Sequence, residues 1–496
     1  MKKRIFSAIF LMAFAVGFFP TLNVSAAPAA PAAPAATNST DQSDVTIHLS
    51  TGVQTTTALS DMIAQFNNKT LTTDPNLQFK VQLDESTWET NSQYDTYTTK
   101  LSSKDTSLDV ISMDVIWPPD FASSGFLTPL NDIFNSSYQS QFLLAPIEAG
   151  TYNDSIYGVP WFHDSAMLYY RTDVLKSAFD AGVIPADRAP QTWAELHDWS
   201  IDIMNDSTLV SDYNLTAGFV WQAKAYEGLI CDFMEYIGGT GTYTFLNATK
   251  TGGIFDNSNI QDALKYMRSL IADEASPQGV LTFTEEESRA VWQAGSAVFM
   301  RNWPYAYKLS LGSGILNGSI AGTDQVFNVT TMPAENLNIA NPRTSCLGGW
   351  QLGVSAYSTH KTEAKNFILW LTAAPQQLYY FLNGGQTPTL KALYNSPEIL
   401  NSDQSYVSNF FPVFNSSLPR PVTPLYVQFS NAIQGPINSY LAGTTNLADT
   451  TKALNNAIEN VVNPPPAGYE ANVALFLIVL GLGTLVAIRK RKQKMD

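Results

Sequence analysis

The 496-residue chain has only two cysteines, Cys231 and Cys346, and four histidines. Two cysteines are too few for a disulfide framework and wrongly spaced for a zinc site. Four scattered histidines leave little from which to build a His-based metal centre or catalytic triad. Charge is scarce as well: Asp, Glu, Lys and Arg make up 14% of the residues, about half the usual share. Basic residues number 28 against 43 acidic ones, a formal charge of −15. That balance argues against nucleic acid as a partner, which needs a concentrated basic face. No Gly-x-Ser-x-Gly elbow, Walker loop, His-Glu-x-x-His or Gly-x-Gly-x-x-Gly fingerprint occurs, so the usual catalytic and nucleotide motifs are missing. What is plentiful is apolar (45%) and aromatic (12%), enough for a large core and too much for a disordered chain.

Both ends read as targeting segments. Met1-Lys2-Lys3-Arg4 precedes the apolar run Ile5 to Phe19 and the small residues Val24-Ser25-Ala26, the pattern of a secretory signal peptide over 1–26. No cysteine follows that run, so a lipid-modified N-terminus is unavailable. Ala471 to Ile488 has Asn472 as its only strongly polar member. At roughly 1.5 Å per residue such a helix is about 27 Å long and spans a bilayer core. Arg489, Lys490, Arg491, Lys492 and Lys494 follow at once and belong on the cytoplasmic side, so everything before residue 471 faces outward. Without the ends, 20 basic residues face 42 acidic ones, a net −22, and such a surface repels anions. Ten Asn-x-Ser/Thr sequons in this exterior part suggest a glycan-coated surface of the kind archaeal envelopes carry.

Residues 27–44 contain the run APAAPAAPAA, an extended spacer, and 463–470 contain NPPPAG, a second one. The body between them, 45–462, is too long for one core and predicts two lobes. Val45 to Leu49 reads as a strand, and Ala58, Met62, Ile63 and Phe66 fall on one face of a helix after it. Leu108 to Met113 is an apolar run of strand length, and Ile260, Leu264, Met267, Leu270 and Ile271 make another helical stripe. Thr192 to Glu195 and Thr284 to Glu287 both match the capping box that opens a helix. This alternation predicts α/β lobes with largely parallel sheets, and ligands beyond the carboxyl ends of the strands.

Several of those strand ends carry an aromatic beside a carboxylate, an arginine or glycines. Asp114 and Trp117 follow the strand that ends at Met113, and Trp161, Phe162 and Asp164 lie in a loop entered through Gly158-Val159-Pro160. His163 beside Asp164 reads either as a general-base pair or as a loop histidine next to a binding aspartate. Trp303 and Tyr305 follow the strand-like Val298 to Met300, Gly348-Gly349-Trp350 precede another, and Arg420 lies between prolines. The mixture suits a sugar: flat rings pack on its apolar C–H faces, while carboxylates and guanidinium pair with its hydroxyls. Each aromatic taken singly fits core packing better than a ligand contact.

The segments DVISMDVIWPPDFASSGFLTPL (109–130), YGVPWFHDSAMLYYRTDVL (157–175), GFVWQAKAYEGLICDFMEY (218–236), VWQAGSAVFMRNWPYAY (291–307), CLGGWQLGVSAYS (346–358) and PRPVTPLYVQFSNAIQ (419–434) resemble, in this order, the extracellular sugar-binding proteins of ABC importers. The likeness is greatest to the trehalose/maltose-binding branch. It implies a class II two-lobed fold of the periplasmic-binding-protein type with three hinge crossings, here near 155–160, 303–310 and 355–362. Lobe 1 would hold about 45–156 and 308–357, and lobe 2 about 157–307 and 358–462. By the same resemblance Asp114, Asp164 and Arg420 bind hydroxyls, and Trp303, Tyr305 and Trp350 stack on sugar rings. Gly349 offers backbone contact, and Phe162 and Trp117 complete the set, Phe162 standing where some relatives carry a tyrosine. Thr51 to Thr57 lacks the acidic contact that relatives often place there, and no polar contact is clearly matched around Ser92 to Asp95.

The resulting expectation is a monomeric receptor, anchored to the membrane by its C-terminal helix. It captures a neutral di- or oligosaccharide and delivers it to ABC permease subunits and, through them, an ATPase. No cofactor or metal is expected. The rival readings are a surface glycoside hydrolase using Asp114 and Asp164, a binding protein for a non-sugar solute, and a surface-layer or adhesion protein. Whether Cys231 and Cys346 meet is left open, with Cys231 read as a small core residue.

Overall fold

The computed structural model of the chain describes residues 45–68, 74–87, 89–313, 316, 326–340 and 342–464. The expected leader 1–26, linker 27–44, apolar segment 471–488 and basic tail 489–496 lie outside them, as do the spacer from 465 onward and the sequons at Asn38 and Asn317. Among the described residues no helix is long and apolar enough to cross a membrane.

The strands are β1 (Thr46–Thr51), β2 (Lys80–Glu85), β3 (Val110–Asp114), β4 (Thr151–Tyr152), β5 (Ser155–Ile156), β6 (Val159–Ser165), β7 (Met167–Arg171), β8 (Ala217–Val220), β9 (Ala297–Asn302), β10 (Phe327–Thr330), β11 (Leu347–Val354) and β12 (Thr387–Pro388). One sheet has the order β12-β6-β11-β3-β1-β2 and a second the order β10-β7-β9-β8, while β4 and β5 form a hairpin. Each sheet anchors one lobe.

In lobe 1, Ile47 and Leu49 of β1 are buried under the helix Ala58–Asn67, whose stripe Ala58, Leu59, Met62, Ile63 and Phe66 faces inward. The stripe recurs at three- and four-residue spacing, so one side of the helix meets the sheet throughout. In lobe 2 the helix Glu227–Gly239 is buried at every position. It is packed between the helices Ser258–Ala272 and Tyr426–Leu441, with Leu447–Val462 closing the layer. The cap at Thr284 forms both of its reciprocal hydrogen bonds with Glu287. At Thr192 only half the box forms: its hydroxyl accepts from the Glu195 N–H, but the Glu195 carboxylate turns to Arg188 and the Gln191 N–H.

Four expectations are corrected. The sheets are mixed rather than largely parallel: β1–β2, β1–β3 and β8–β9 are parallel, whereas β11 runs antiparallel to both β3 and β6, β12 to β6, and β7 to both β9 and β10. Strands that return from the other lobe enter the sheet in the opposite direction, which local periodicity cannot show. Residues 161–164 are not a loop but the middle of β6, buried along its whole length. Gly348-Gly349-Trp350 lie inside β11 rather than before it.

The lobe boundaries move as well. Because β6, β11 and β12 pair with the first lobe's sheet, lobe 1 comprises 45–165 and 347–416, and lobe 2 comprises 167–345 and 418–464. There are three crossings, at about 166, 346 and 417 instead of near 155–160, 303–310 and 355–362. They lie side by side. Ser345 donates to the Ala166 carbonyl at 2.9 Å, the Leu418 N–H to Ser345 at 2.8 Å and the Leu347 N–H to Leu418 at 2.7 Å. Buried backbone at the waist is thereby satisfied, and the hinge is a short three-stranded strap.

Candidate ligand-binding cleft

Strand register builds the first wall. β11 pairs Trp350 with Asp114 of β3 on one side and with Phe162 of β6 on the other, and it pairs Gly348 with Asp164. Phe162 and Asp164, two residues apart, share a face of β6, since side chains alternate along a strand. His163 points the opposite way, fully buried against Phe414 and hydrogen-bonded to Ser165. Burial pushes its imidazole down to about 3, so it is neutral. It is a packed histidine behind the wall, not a base beside Asp164.

The second lobe supplies the facing wall. Trp303 and Tyr305 leave the end of β9, and Glu285 and Glu286 occupy the first turn of the helix Glu285–Gln293. Tyr226, Glu227 and Cys231 come from the start of the helix Glu227–Gly239, and Arg420 comes from just past the third crossing. Together with Thr51 to Thr55, Glu89, Gln93 and Gln386 they line a cavity of about 210 Å³ between the lobes. Across its lip Lys224 meets Glu89 at 3.3 Å, and Asn91 donates to Asn431 at 3.1 Å and to Gln434 at 3.3 Å.

Arg420 is the electrostatic centre. It is buried, donating from Nη2 to Asp114 at 2.7 Å and from Nη1 to Glu227 at 2.7 Å. Glu227 also accepts from Tyr426 at 2.7 Å and from Ser430. Burial raises the Glu227 carboxyl, and the guanidinium opposes that shift. Asp164 has no such partner. Burial, with the Asp114 charge second, raises its carboxyl from 3.8 to about 7. Its Oδ1 has no hydrogen-bond donor among the described residues. A buried oxygen without a donor is costly and suits a donor brought by a ligand.

The rings are held rigidly. Trp303 has the Arg301 guanidinium 4.0 Å from its ring centre, and its indole N–H donates to Glu285 at 3.1 Å. Arg301 is itself fully buried and pinned by Glu235 and Gln222. A Cβ on Gly348 would come 2.9 Å from Trp303, so only glycine lets the indole lie against β11. Gly349 has φ +99, and a Cβ there would sit 2.5 Å from the Phe162 carbonyl. Tyr305 donates to Glu286 at 2.6 Å.

Of the residues singled out in the sequence, Asp114, Phe162, Asp164, Trp303, Tyr305, Gly349, Trp350 and Arg420 line this one cavity. Trp117 does not: it is 1% exposed and meets the Trp350 ring edge-on at 5.5 Å, behind the wall. Its place is to brace Trp350. Sequence reading missed Tyr226, Glu227, Glu285, Glu286, Glu89 and Gln54. Glu285 and Glu286 read only as helix-capping acids, and nothing local marks which face of a buried helix looks into a cleft. No group of three His, Cys, Asp or Glu side chains among the described residues could hold a metal ion.

The family of bacterial extracellular solute-binding proteins matches residues 52–378. A probable ABC transporter-binding protein of Deinococcus radiodurans is 31% identical over 370 residues, 74% of this chain and 82% of that one. A maltotriose-binding protein of Pyrococcus abyssi is 22% identical over 327 residues, 66% of this chain and 64% of its own length. Among solved structures, the maltose-bound T. maritima MalE3 superposes with a TM-score of 0.72 at 31% identity, covering 84% of this chain and 99% of that one. By its sequence and its two-lobed fold, this chain belongs to the bacterial extracellular solute-binding protein family.

Proposed function

We propose that the protein is the membrane-anchored, substrate-capturing subunit of an ABC sugar importer, taking a neutral di- or oligosaccharide of the maltose or trehalose kind. The observation that carries this reading is the convergence of Trp303, Tyr305, Trp350 and Phe162 with Asp114, Asp164 and Arg420 around one cavity between two lobes. Rings offer flat apolar area to the faces of a pyranose, and carboxylates accept from its hydroxyls. Asp164, with an oxygen lacking a donor, accepts one hydroxyl; Asp114, already oriented by Arg420, accepts another. The maltose bound in the T. maritima neighbour and the maltotriose of the Pyrococcus relative's name point to the same ligand class.

Capture works by hinge closure. A sugar seated on β6 and β11 of lobe 1 gains contacts to Trp303, Tyr305 and Glu285 only when lobe 2 swings in, so binding biases the molecule toward the closed form. The lip contacts Lys224–Glu89 and Asn91–Asn431 then shield the ligand from water. The closed form is handed to a permease whose ATPase is a separate subunit, and the apolar segment 471–488 holds the receptor near it.

Calorimetry of the protein with maltose, trehalose, maltotriose and a polyamine tests this reading. Saturable binding of one neutral saccharide, recovered intact, is expected. Binding of the polyamine alone, or release of reducing sugar from the saccharides, overturns it.

A further inference from the structure

Six carboxylates line the cavity between the lobes, those of Glu89, Asp114, Asp164, Glu227, Glu285 and Glu286, and among the described residues Arg420 is the only cation that lines it with them. Two of the acids are balanced from just outside, because Lys224 meets Glu89 at 3.3 Å and Arg289 donates to Glu286 at 3.1 Å. Arg420 divides one positive charge between Asp114 and Glu227, so that trio keeps one negative charge in surplus when all three are ionised. Arg301, behind Trp303, is taken up by Glu235 and Asp232. Glu285 accepts from neutral donors, the Tyr226 hydroxyl at 2.8 Å and the Trp303 indole N–H at 3.1 Å. Asp164 and Arg420 are 7% and 3% exposed, and each keeps one buried atom with no hydrogen-bond partner among the described residues, Oδ1 of the acid and Nε of the guanidinium.

We propose that Asp164 and Glu285 make the cleft a charge filter, which admits neutral and amino-bearing saccharides and rejects acidic ones such as uronates. This rests on the reading of the cleft as a saccharide site and adds the sign of charge that the site tolerates. One sugar hydroxyl donates to Asp164 Oδ1 and another accepts from Arg420 Nε–H, so a neutral ligand satisfies both orphaned atoms. A ligand carboxylate has no proton to give Asp164, and between closed walls it faces the surplus negative charge with little water to screen it. Arg420 does not offset this, because Asp114 and Glu227 already hold both of its Nη groups. Like charges so placed turn away a wrong partner without any loss of contact to the right one. An ammonium group is received instead: it donates to Asp164 and meets the rings of Trp303 and Trp350 in the same cavity. The net-acidic exterior repels every anion from a distance and is screened by salt; the filter acts on the ligand once seated.

Calorimetry at pH 8, where Asp164 is ionised, tests the filter with maltose, trehalose and two derivatives of each. In one derivative both primary hydroxyls are replaced by carboxylates, and in the other both are replaced by amines. The two derivatives lose the same hydroxyls and differ in the sign of their charge. For the parent sugar that binds, the acid is expected to bind at least about 100-fold more weakly than the amine. In an Asp164→Asn, Glu285→Gln double variant that ratio is expected to narrow at least about tenfold, and either single variant narrows it in part, so the test stands even if the double variant does not fold. An Asp202→Asn, Asp212→Asn variant removes two exposed acids of lobe 2 outside the cavity and is expected to leave the ratio unchanged. Acid and amine bound equally by the native protein overturn the filter alone, and so does a ratio that both pairs of substitutions narrow alike or that neither narrows. Binding of none of these sugars overturns the saccharide reading together with it.

Discussion

Asp164 stands on β6 with one buried oxygen lacking a donor among the described residues; burial above all, then the charges of Asp114 and Glu285, raise its carboxyl to about 7. The unfolded chain ionises the same group near 3.8, so the fold is penalised progressively as pH rises from there to about 7 and by a constant amount above. Asp164→Asn removes that penalty. Thermal denaturation is expected to show the variant more stable than the native protein at pH 8 and equal to it at pH 3. Sugar binding moves the other way, because the anion accepts the hydroxyl. Native affinity is expected to fall as pH drops through about 7, and calorimetry on Asp164→Asn to give a weaker affinity that is flat across that window. A native profile that is flat there would remove Asp164 from the hydroxyl-binding set. Arg420 shows the opposite economy of charge: one guanidinium serves Asp114 and Glu227. Arg420→Met leaves both carboxylates without their cation, and a loss of about 3–5 kcal/mol in denaturant unfolding is expected.

Strand β11 is the element on which the cleft depends. Trp350 projects from it between Asp114 and Phe162, and the two glycines before it let Trp303 and the β6 backbone approach. Gly348→Ala places a methyl group 2.9 Å from the Trp303 ring, so the indole must move. Calorimetry is expected to show weakened sugar binding while the melting temperature changes little, whereas Gly349→Ala, at φ +99, destabilises the fold itself. Trp350→Ala removes one ring and one of the aromatic neighbours of Trp117, and at least about 1 kcal/mol of binding is expected to go with it. These roles were partly legible in advance. The helical stripe at Ala58 to Phe66 and the cap at Thr284 follow from spacing alone, and both formed. The strand 161–164 was not legible, because a segment buried on both faces carries no alternation to distinguish it from a loop of mixed polar and aromatic residues.

At the scale of the molecule, the lobes meet through three short crossings and a set of lip contacts from Lys224, Asn91 and Asn431. Lys224→Ala removes one lip contact, and small-angle scattering is expected to show less compaction at subsaturating sugar than in the native protein, with the saturated forms alike. Unchanged scattering on saturating the native protein would exclude hinge closure. What the sequence determined by itself was chemical: a chain poor in histidine, cysteine and cations, rich in rings, with acids and aromatics grouped in a few short segments. Composition and local spacing act over one or two turns of backbone, and they suffice for such statements. Which strands share a sheet, where the chain changes lobes, and that Glu227, Glu285 and Cys231 face the same cleft as Asp164 were decided only by tertiary structure. Those placements depend on long-range strand register and on helix packing, in which residues hundreds of positions apart compete for one buried surface.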